Sequence, residues 1–132
     1  MIKRTSGFTV LELILIIVVL SIASVVFFVQ KNNLQVTARD EHRKTAINAI
    51  YYGLEQVYYK QNQSYPKTVS STNLPSVDPA LFIDPSGAKI GDGASNYRYE
   101  PVNCNDKDAC TSYTLRSTLE NEADYVKTSL NK

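Results

Sequence analysis

The strongest constraint on this chain is a single apolar stretch near its N-terminus. Residues 8–29 are apolar at every position except Thr9, Glu12, Ser21 and Ser24. At 1.5 Å per residue, a helix of this length is about 33 Å long, which matches the roughly 30 Å hydrocarbon core of a bilayer. We therefore predict that residues 8–29 form a helix that can span a membrane.

Basic residues set the expected orientation of this helix. Lys3 and Arg4 precede the apolar stretch, and Lys31 follows it. Because positive charge before a first span usually stays inside, we expect a cytoplasmic N-terminus and residues 30–132 outside. Three simpler interpretations stay open: a cleaved signal peptide with a cleavage site at residues 21–23, a plain single-pass anchor, or a buried core helix.

Glu12 bears on these alternatives, since a carboxylate inside an apolar helix is costly. The cost is about 2.5 to 3.5 kcal/mol at the membrane centre and smaller near a helix end. Neither a signal peptide nor a plain anchor gives a reason for this acid. A cut between Gly7 and Phe8 would create an α-amino group four residues before Glu12. An amine on one subunit and a carboxylate on its neighbour would attract strongly in a low-dielectric bundle and set the axial register.

The sequence Lys3-Arg4-Thr5-Ser6-Gly7-Phe8-Thr9-Val10-Leu11-Glu12, followed by the apolar run, closely resembles the class III signal of type IV pilins and pseudopilins. In that family, a prepilin peptidase cleaves after the glycine and methylates the new N-terminal residue. The resemblance implies that residues 1–7 are a leader cleaved after Gly7 and that Phe8 becomes the methylated N-terminus. It also implies that Glu12 is the assembly acid and that Phe8 takes part in assembly with it.

This resemblance implies a structural subunit of a type IV pilus, held in the cytoplasmic membrane and then polymerised into an extracellular filament for motility, adhesion or DNA uptake. The expected partners are other pilin subunits, the prepilin peptidase, the pilus assembly machinery and the membrane. No cofactor and no specific nucleic-acid binding are predicted. A pseudopilin of a type II secretion system is the first alternative. A membrane-anchored or secreted binding module that does not assemble is the second.

Beyond the apolar stretch, residues 30–62 continue with helical spacing. Ile47, Ile50, Leu54 and Val57 follow one another at intervals of three and four residues, which predicts an amphipathic helix. Asn62 and the following polar residues are poor helix formers, and Pro66 disfavours helical geometry before it, so we expect the helix to end near residue 62. The Tyr-Tyr, Asn and Tyr-Pro pattern over residues 58–66 also looks like the end of this helix in many pilin-like proteins.

The charged stretch at residues 39–44 mixes both signs. It is predicted to be a solvated helix face with an Asp40–Lys44 pair, and subunit contacts in a filament are the alternative. His42 has no nearby cysteine or second histidine with which to form a metal site, so we expect it at the surface.

Residues 63–132 are predicted to form a globular head. Ser, Pro, Asp and Gly are frequent in residues 67–95, which indicates a long loop. Strand alternation follows in two segments, at Tyr97–Tyr99 and from Tyr113 to Leu119, and residues 123–127 are a candidate third strand. A small antiparallel sheet covering the apolar stripe of the helix gives an α+β fold. The clustered tyrosines are expected in its core rather than in a ligand site.

Two cysteines and four aspartates are the remaining candidate site residues. Cys104 and Cys110 lie on the exported side, where a disulfide is the expected state. The aspartates carry hard oxygen ligands suited to calcium, but their spacing matches no EF-hand. Major pseudopilins carry calcium in this general region, so these aspartates are kept as weak calcium candidates: Asp84, Asp92, Asp106 and Asp108.

Composition argues against an enzyme. The chain has one His, two Cys and no Trp, and it contains no nucleophile elbow, phosphate loop or dinucleotide fingerprint. The balance of 14 Lys and Arg against 13 Asp and Glu also disfavours a polyanion binder that depends on bulk charge.

Overall fold

The computed structural model describes residues 7–131, so the predicted leader before Gly7, with Lys3 and Arg4, lies outside the described residues. The chain has the predicted α+β fold. One long N-terminal helix is followed by a small antiparallel sheet of four strands.

The long helix has three consecutive parts. Helix α1 spans Val10–Tyr52, a π-helical turn spans Gly53–Tyr58, and helix α2 spans Tyr59–Asn62. The start lies two residues later than the predicted Phe8, because Thr9 acts as the helix cap. The end at Asn62 agrees with the prediction.

The chain divides into two compact units, the first ending at Gln35 and the second beginning at Val36. The first unit carries the apolar side chains of residues 8–29, and the large ones among them are exposed. The second unit contains the buried core and the sheet.

The sheet is built around one central strand. Strand β1 spans Tyr65–Pro66, β2 spans Tyr97–Cys104, β3 spans Ala109–Ser117 and β4 spans Tyr125–Thr128. Strand β3 pairs antiparallel with β2 on one side and with both β1 and β4 on the other. The predicted strands at β2 and β3 are confirmed, and the third begins at Tyr125 instead of residue 123.

Strand β1 was not predicted from the sequence. Its two residues pair with Cys110 and Ala109 directly after the helix ends. Residues 67–95 form the expected long loop, which contains a short 3-10 turn at Pro79–Phe82 and an isolated β-bridge between Ile83 and Lys89. The core of the second unit joins the helix to β3 and the loop; its fully buried large side chains include Ile47, Ile50, Leu54, Tyr65, Leu74, Tyr97, Tyr113 and Leu115.

Candidate functional site

The first candidate site is the start of the long helix. The Thr9 hydroxyl accepts a hydrogen bond of 3.3 Å from the backbone N–H of Glu12, as an N-cap side chain does. Glu12 therefore stands in the first turn, where a negative charge is favoured by the helix dipole. Among residues 7–131, no cation lies within salt-bridge distance of its carboxylate.

The apolar surface after Glu12 has the length and composition of a membrane span. One helix of the described chain is long and apolar enough to cross a membrane. Its most apolar window has a mean hydropathy of 3.0, and none of that window is buried. Ser21 and Ser24 do not leave polar hydroxyls unpaired there, because they donate to the carbonyls of Ile17 and Leu20 at 2.7 and 2.8 Å. This segment can therefore lie in an apolar environment at little polar cost.

The second candidate site is a buried charge cluster within the second unit. Arg43 is only 3% exposed, and its guanidinium donates to Asp84 at 2.7 Å, to Glu120 at 2.8 Å and to Asp40 at 2.9 Å. Asp40 also accepts from the backbone N–H groups of Glu120 and Asn121. The prediction of a solvated helix face is wrong for Asp40 and Arg43, because carboxylates and N–H groups distant in sequence cover them.

These contacts determine the charge states in the cluster. Burial alone would raise the pKa of Asp84, but Arg43, Ser86 and Asn96 all donate to its carboxylate and lower the pKa to about 2. Burial opposes the charged form of Arg43 as well, yet the bonds to Asp84 and Glu120 raise its pKa. The cluster is therefore ionised, with its charges paired inside the protein.

An exposed part of the network continues along the same helix. Arg39 binds both oxygens of Glu120, at 2.7 and 2.5 Å, and Lys44 binds Glu122 at 2.8 Å. Lys44 also contacts Glu41 instead of forming the predicted pair with Asp40. His42 is exposed, as predicted.

A third cluster lies around Glu55, and the sequence analysis does not predict it. This carboxylate is 5% exposed, and it accepts hydrogen bonds from the hydroxyls of Tyr113 at 2.8 Å and Tyr65 at 2.9 Å and from the backbone N–H of Leu130 at 3.2 Å. Burial and the bond to Glu55 raise the pKa of Tyr113, so its phenol stays neutral. The cluster connects the π-helical turn, β1, β3 and the segment after β4.

The predicted role of the tyrosines as core residues is confirmed. Tyr65 stacks on Tyr59 with ring centroids 4.9 Å apart and meets Tyr113 edge-on at 4.7 Å. The Tyr99 hydroxyl donates to the carbonyl of Pro66 at 2.6 Å. These contacts hold β1 against α2, β2 and β3.

The cysteines form the expected disulfide. Cys104 and Cys110 face each other across β2 and β3, so the bond closes the hairpin that joins these strands.

The structure does not bring the weak calcium candidates together as a metal site. Asp84 belongs to the Arg43 cluster, the Asp92 carboxylate accepts from the backbone of Lys89, and Asp108 lies 3.3 Å from Lys67. Asp106 lies in the exposed hairpin loop. Within residues 7–131, no group of three or more His, Cys, Asp and Glu side chains is placed to hold a metal ion.

Comparison of the chain with family models, with curated proteins and with solved structures returns no match.

Proposed function

We propose that the chain is a structural subunit of a type IV pilus, which polymerises through its N-terminal apolar helix. The observation that carries this proposal is the position of Glu12. It is the one ionisable side chain within residues 8–29, and it lies four residues after Phe8, the first residue beyond the Gly7–Phe8 junction of a sequence that resembles a prepilin signal. Cleavage at that junction gives a neighbouring subunit the amine that this acid requires.

Two structural features support the proposal. The first is the exposed apolar surface of the first unit, which exceeds what a soluble monomer usually leaves in water. The second is that α1 begins at Val10, so Glu12 lies in the first turn, at the end of the helix, where the amine of a neighbouring subunit can reach it. In the filament, the apolar helices form the core, and the cleaved amine of one subunit pairs with Glu12 of another.

Mass spectrometry of the N-terminal peptide tests this proposal in the native cell. The peptide is measured in sheared extracellular material and in membranes. We expect it to begin at methylated Phe8 and to be abundant in the sheared fraction. Methylated Phe8 confined to membranes would instead indicate a secretion pseudopilin or a minor subunit. An intact Met1, or a chain that begins at Ser24, would contradict the filament proposal.

A further inference from the structure

A groove in the second unit has the properties of a ligand site. It lies between the chain that follows β1, the 3-10 turn at Pro79–Phe82 and the segment around Ile90, and it has a volume of about 300 Å³. A smaller cavity of about 130 Å³ continues it past Val69 and Ile90, which line both cavities, towards Tyr99. The volume of the larger cavity is at the lower end of the range for small-molecule pockets.

The walls of the groove are held by the protein's own hydrogen bonds. Asp78 caps the 3-10 turn by accepting from the N–H of Ala80 at 2.9 Å. The N–H of Ile90 donates to the carbonyl of Phe82 at 2.8 Å, and Ile83 and Lys89 form a β-bridge. The groove is therefore formed before a ligand arrives, which lowers the entropic cost of binding.

The floor of the groove is apolar and only partly covered. Val69 and Phe82 are buried beneath it, whereas Ile83 remains 38% exposed. Ile83 is therefore much more exposed than the core isoleucines of the same unit, Ile47 and Ile50, which are completely buried. A ligand with an apolar body would remove the exposed part of Ile83 from water.

The charge of the rim is of one sign. Within the described chain, the charged side chains that line the two cavities are Lys67 and Lys89, and no carboxylate lines either of them. Lys67 lies 3.3 Å from Asp108, and both groups are well exposed, so this ion pair is weak. Lys89 has no side-chain ion pair within the described chain, so its ammonium would favour an anionic head group over a cationic one.

We propose that this groove binds a small organic anion with an apolar body, such as an aryl-alkyl carboxylate. The apolar body would lie on Ile83 and Ile90, and the carboxylate would face Lys89. The proposal does not depend on filament assembly, because every residue that it uses lies in the second unit.

The test uses the full chain in phosphatidylcholine nanodiscs with 4-phenylbutyrate as the probe. Methyl NMR spectra are recorded during titration, and 4-phenylbutylamine, which has the opposite charge, is titrated in parallel. We expect saturable shifts of the Ile83 and Ile90 methyl groups with the carboxylate and none with the amine. Equal shifts with both probes, or no saturable shift at millimolar carboxylate, would overturn the proposal.

Two lysine variants separate a groove site from general attraction to positive charge. Lys89→Gln should weaken binding of the carboxylate about two- to fivefold, because one exposed charge contact changes an affinity by about this factor. Lys107→Gln removes an exposed lysine from the hairpin loop and should leave the affinity unchanged. Equal weakening in both variants would show that the groove does not recognise the anion.

Discussion

Tyr97 and Tyr113 are both buried, but their hydroxyl groups have different surroundings. The Tyr113 hydroxyl donates to Glu55, whereas that of Tyr97 has no hydrogen-bond partner among residues 7–131. Burial raises the pKa of Tyr97 to about 12, so its phenol is neutral. Because the buried hydroxyl makes no hydrogen bond within residues 7–131, it does not stabilise the fold. We expect Tyr97→Phe to leave the free energy of unfolding unchanged or to raise it by up to about 1 kcal/mol.

The matched variant is Tyr113→Phe, which removes the same atom. It deprives buried Glu55 of one donor and should lower the free energy of unfolding by about 1 to 3 kcal/mol. Chemical denaturation followed by near-ultraviolet circular dichroism measures both variants, because the chain has nine tyrosines and no tryptophan. Equal losses in the two variants would mean that the Tyr97 hydroxyl is hydrogen-bonded in solution.

The ionisation of Asp84 makes the stability of the second unit depend on pH. Its pKa is lowered from 3.8 to about 2 in the folded state, so its stabilising contribution is complete above about pH 4 and is lost as the pH falls through 2. A shift of this size corresponds to about 2 kcal/mol. We expect Asp84→Asn to be less stable than the wild type by about this amount at pH 7, with the difference vanishing towards pH 2.

The control for this prediction is Asp124→Asn, which changes an exposed aspartate outside the cluster. Its free energy of unfolding should follow that of the wild type at every pH. A deficit in Asp84→Asn that stays constant from pH 7 to pH 2 would contradict the assigned ion pair with Arg43.

The sequence contains part of the signal for these buried charges. Asp40 and Arg43 lie seven and four residues before Ile47, and Glu55 lies eight residues after it, so all three share the apolar stripe of the helix. Extending the stripe through the charged residues would have predicted their burial. Their main partners could not be predicted in the same way, because Asp84 and Glu120 are 41 and 77 residues away from Arg43.

At the scale of elements, Gly53 is a position where the helix passes close to the loop. A Cβ atom at residue 53 would lie 2.7 Å from Cγ2 of Val77, a buried and stiff side chain. Alanine normally favours a helix over glycine by about 1 kcal/mol, but here the contact opposes that gain. We expect Gly53→Ala to lower the free energy of unfolding by about 1 to 3 kcal/mol.

A double variant distinguishes this contact from an effect on the helix itself. Val77→Ala removes the obstructing methyl group, so Gly53→Ala should cost less in that background than in the wild type. The thermal unfolding of the four proteins gives the coupling energy. Additive effects would contradict the proposed contact between residues 53 and 77.

The disulfide acts on one hairpin. In the chain-entropy account, closing the short loop between Cys104 and Cys110 contributes about 2.4 kcal/mol. The double variant Cys104→Ser, Cys110→Ser should lose stability of this order, and hydrogen exchange should increase first at the tip of β2 and β3. Uniform faster exchange throughout the second unit would show that the bond supports the entire core instead of the hairpin.

Local patterns predict the elements of this chain well because their signals are short in range. The long helix follows from its spacing and from the absence of proline before Pro66, and β2 and β3 follow from alternation. Strand β1 has only two residues and exists because β3 offers a free edge beside Cys110. A pairing set by a distant strand leaves no periodic signal in two residues.

For the molecule as a whole, the two units differ in how their charges are neutralised. In the second unit, Arg43 and its carboxylates are paired within the chain. In the first unit, Glu12 lies on an exposed apolar helix with no cation nearby among residues 7–131. If the proposed filament forms, it is therefore the first unit, through Glu12, that needs a charge from a partner.

Substitution of Glu12 tests whether assembly depends on such a partner. We expect Glu12→Ala, produced as the sole copy of the subunit, to be cleaved after Gly7 and methylated at Phe8, because the change lies beyond the cleaved bond. It should then remain in membranes, since the neighbouring amine lacks its acid. Glu41→Ala removes an exposed carboxylate from the same helix outside the apolar stretch, and it should reach the sheared fraction as the wild type does. Abundant sheared filaments of Glu12→Ala would show that assembly does not depend on this pair, whereas failure of both variants would indicate a general defect of the helix.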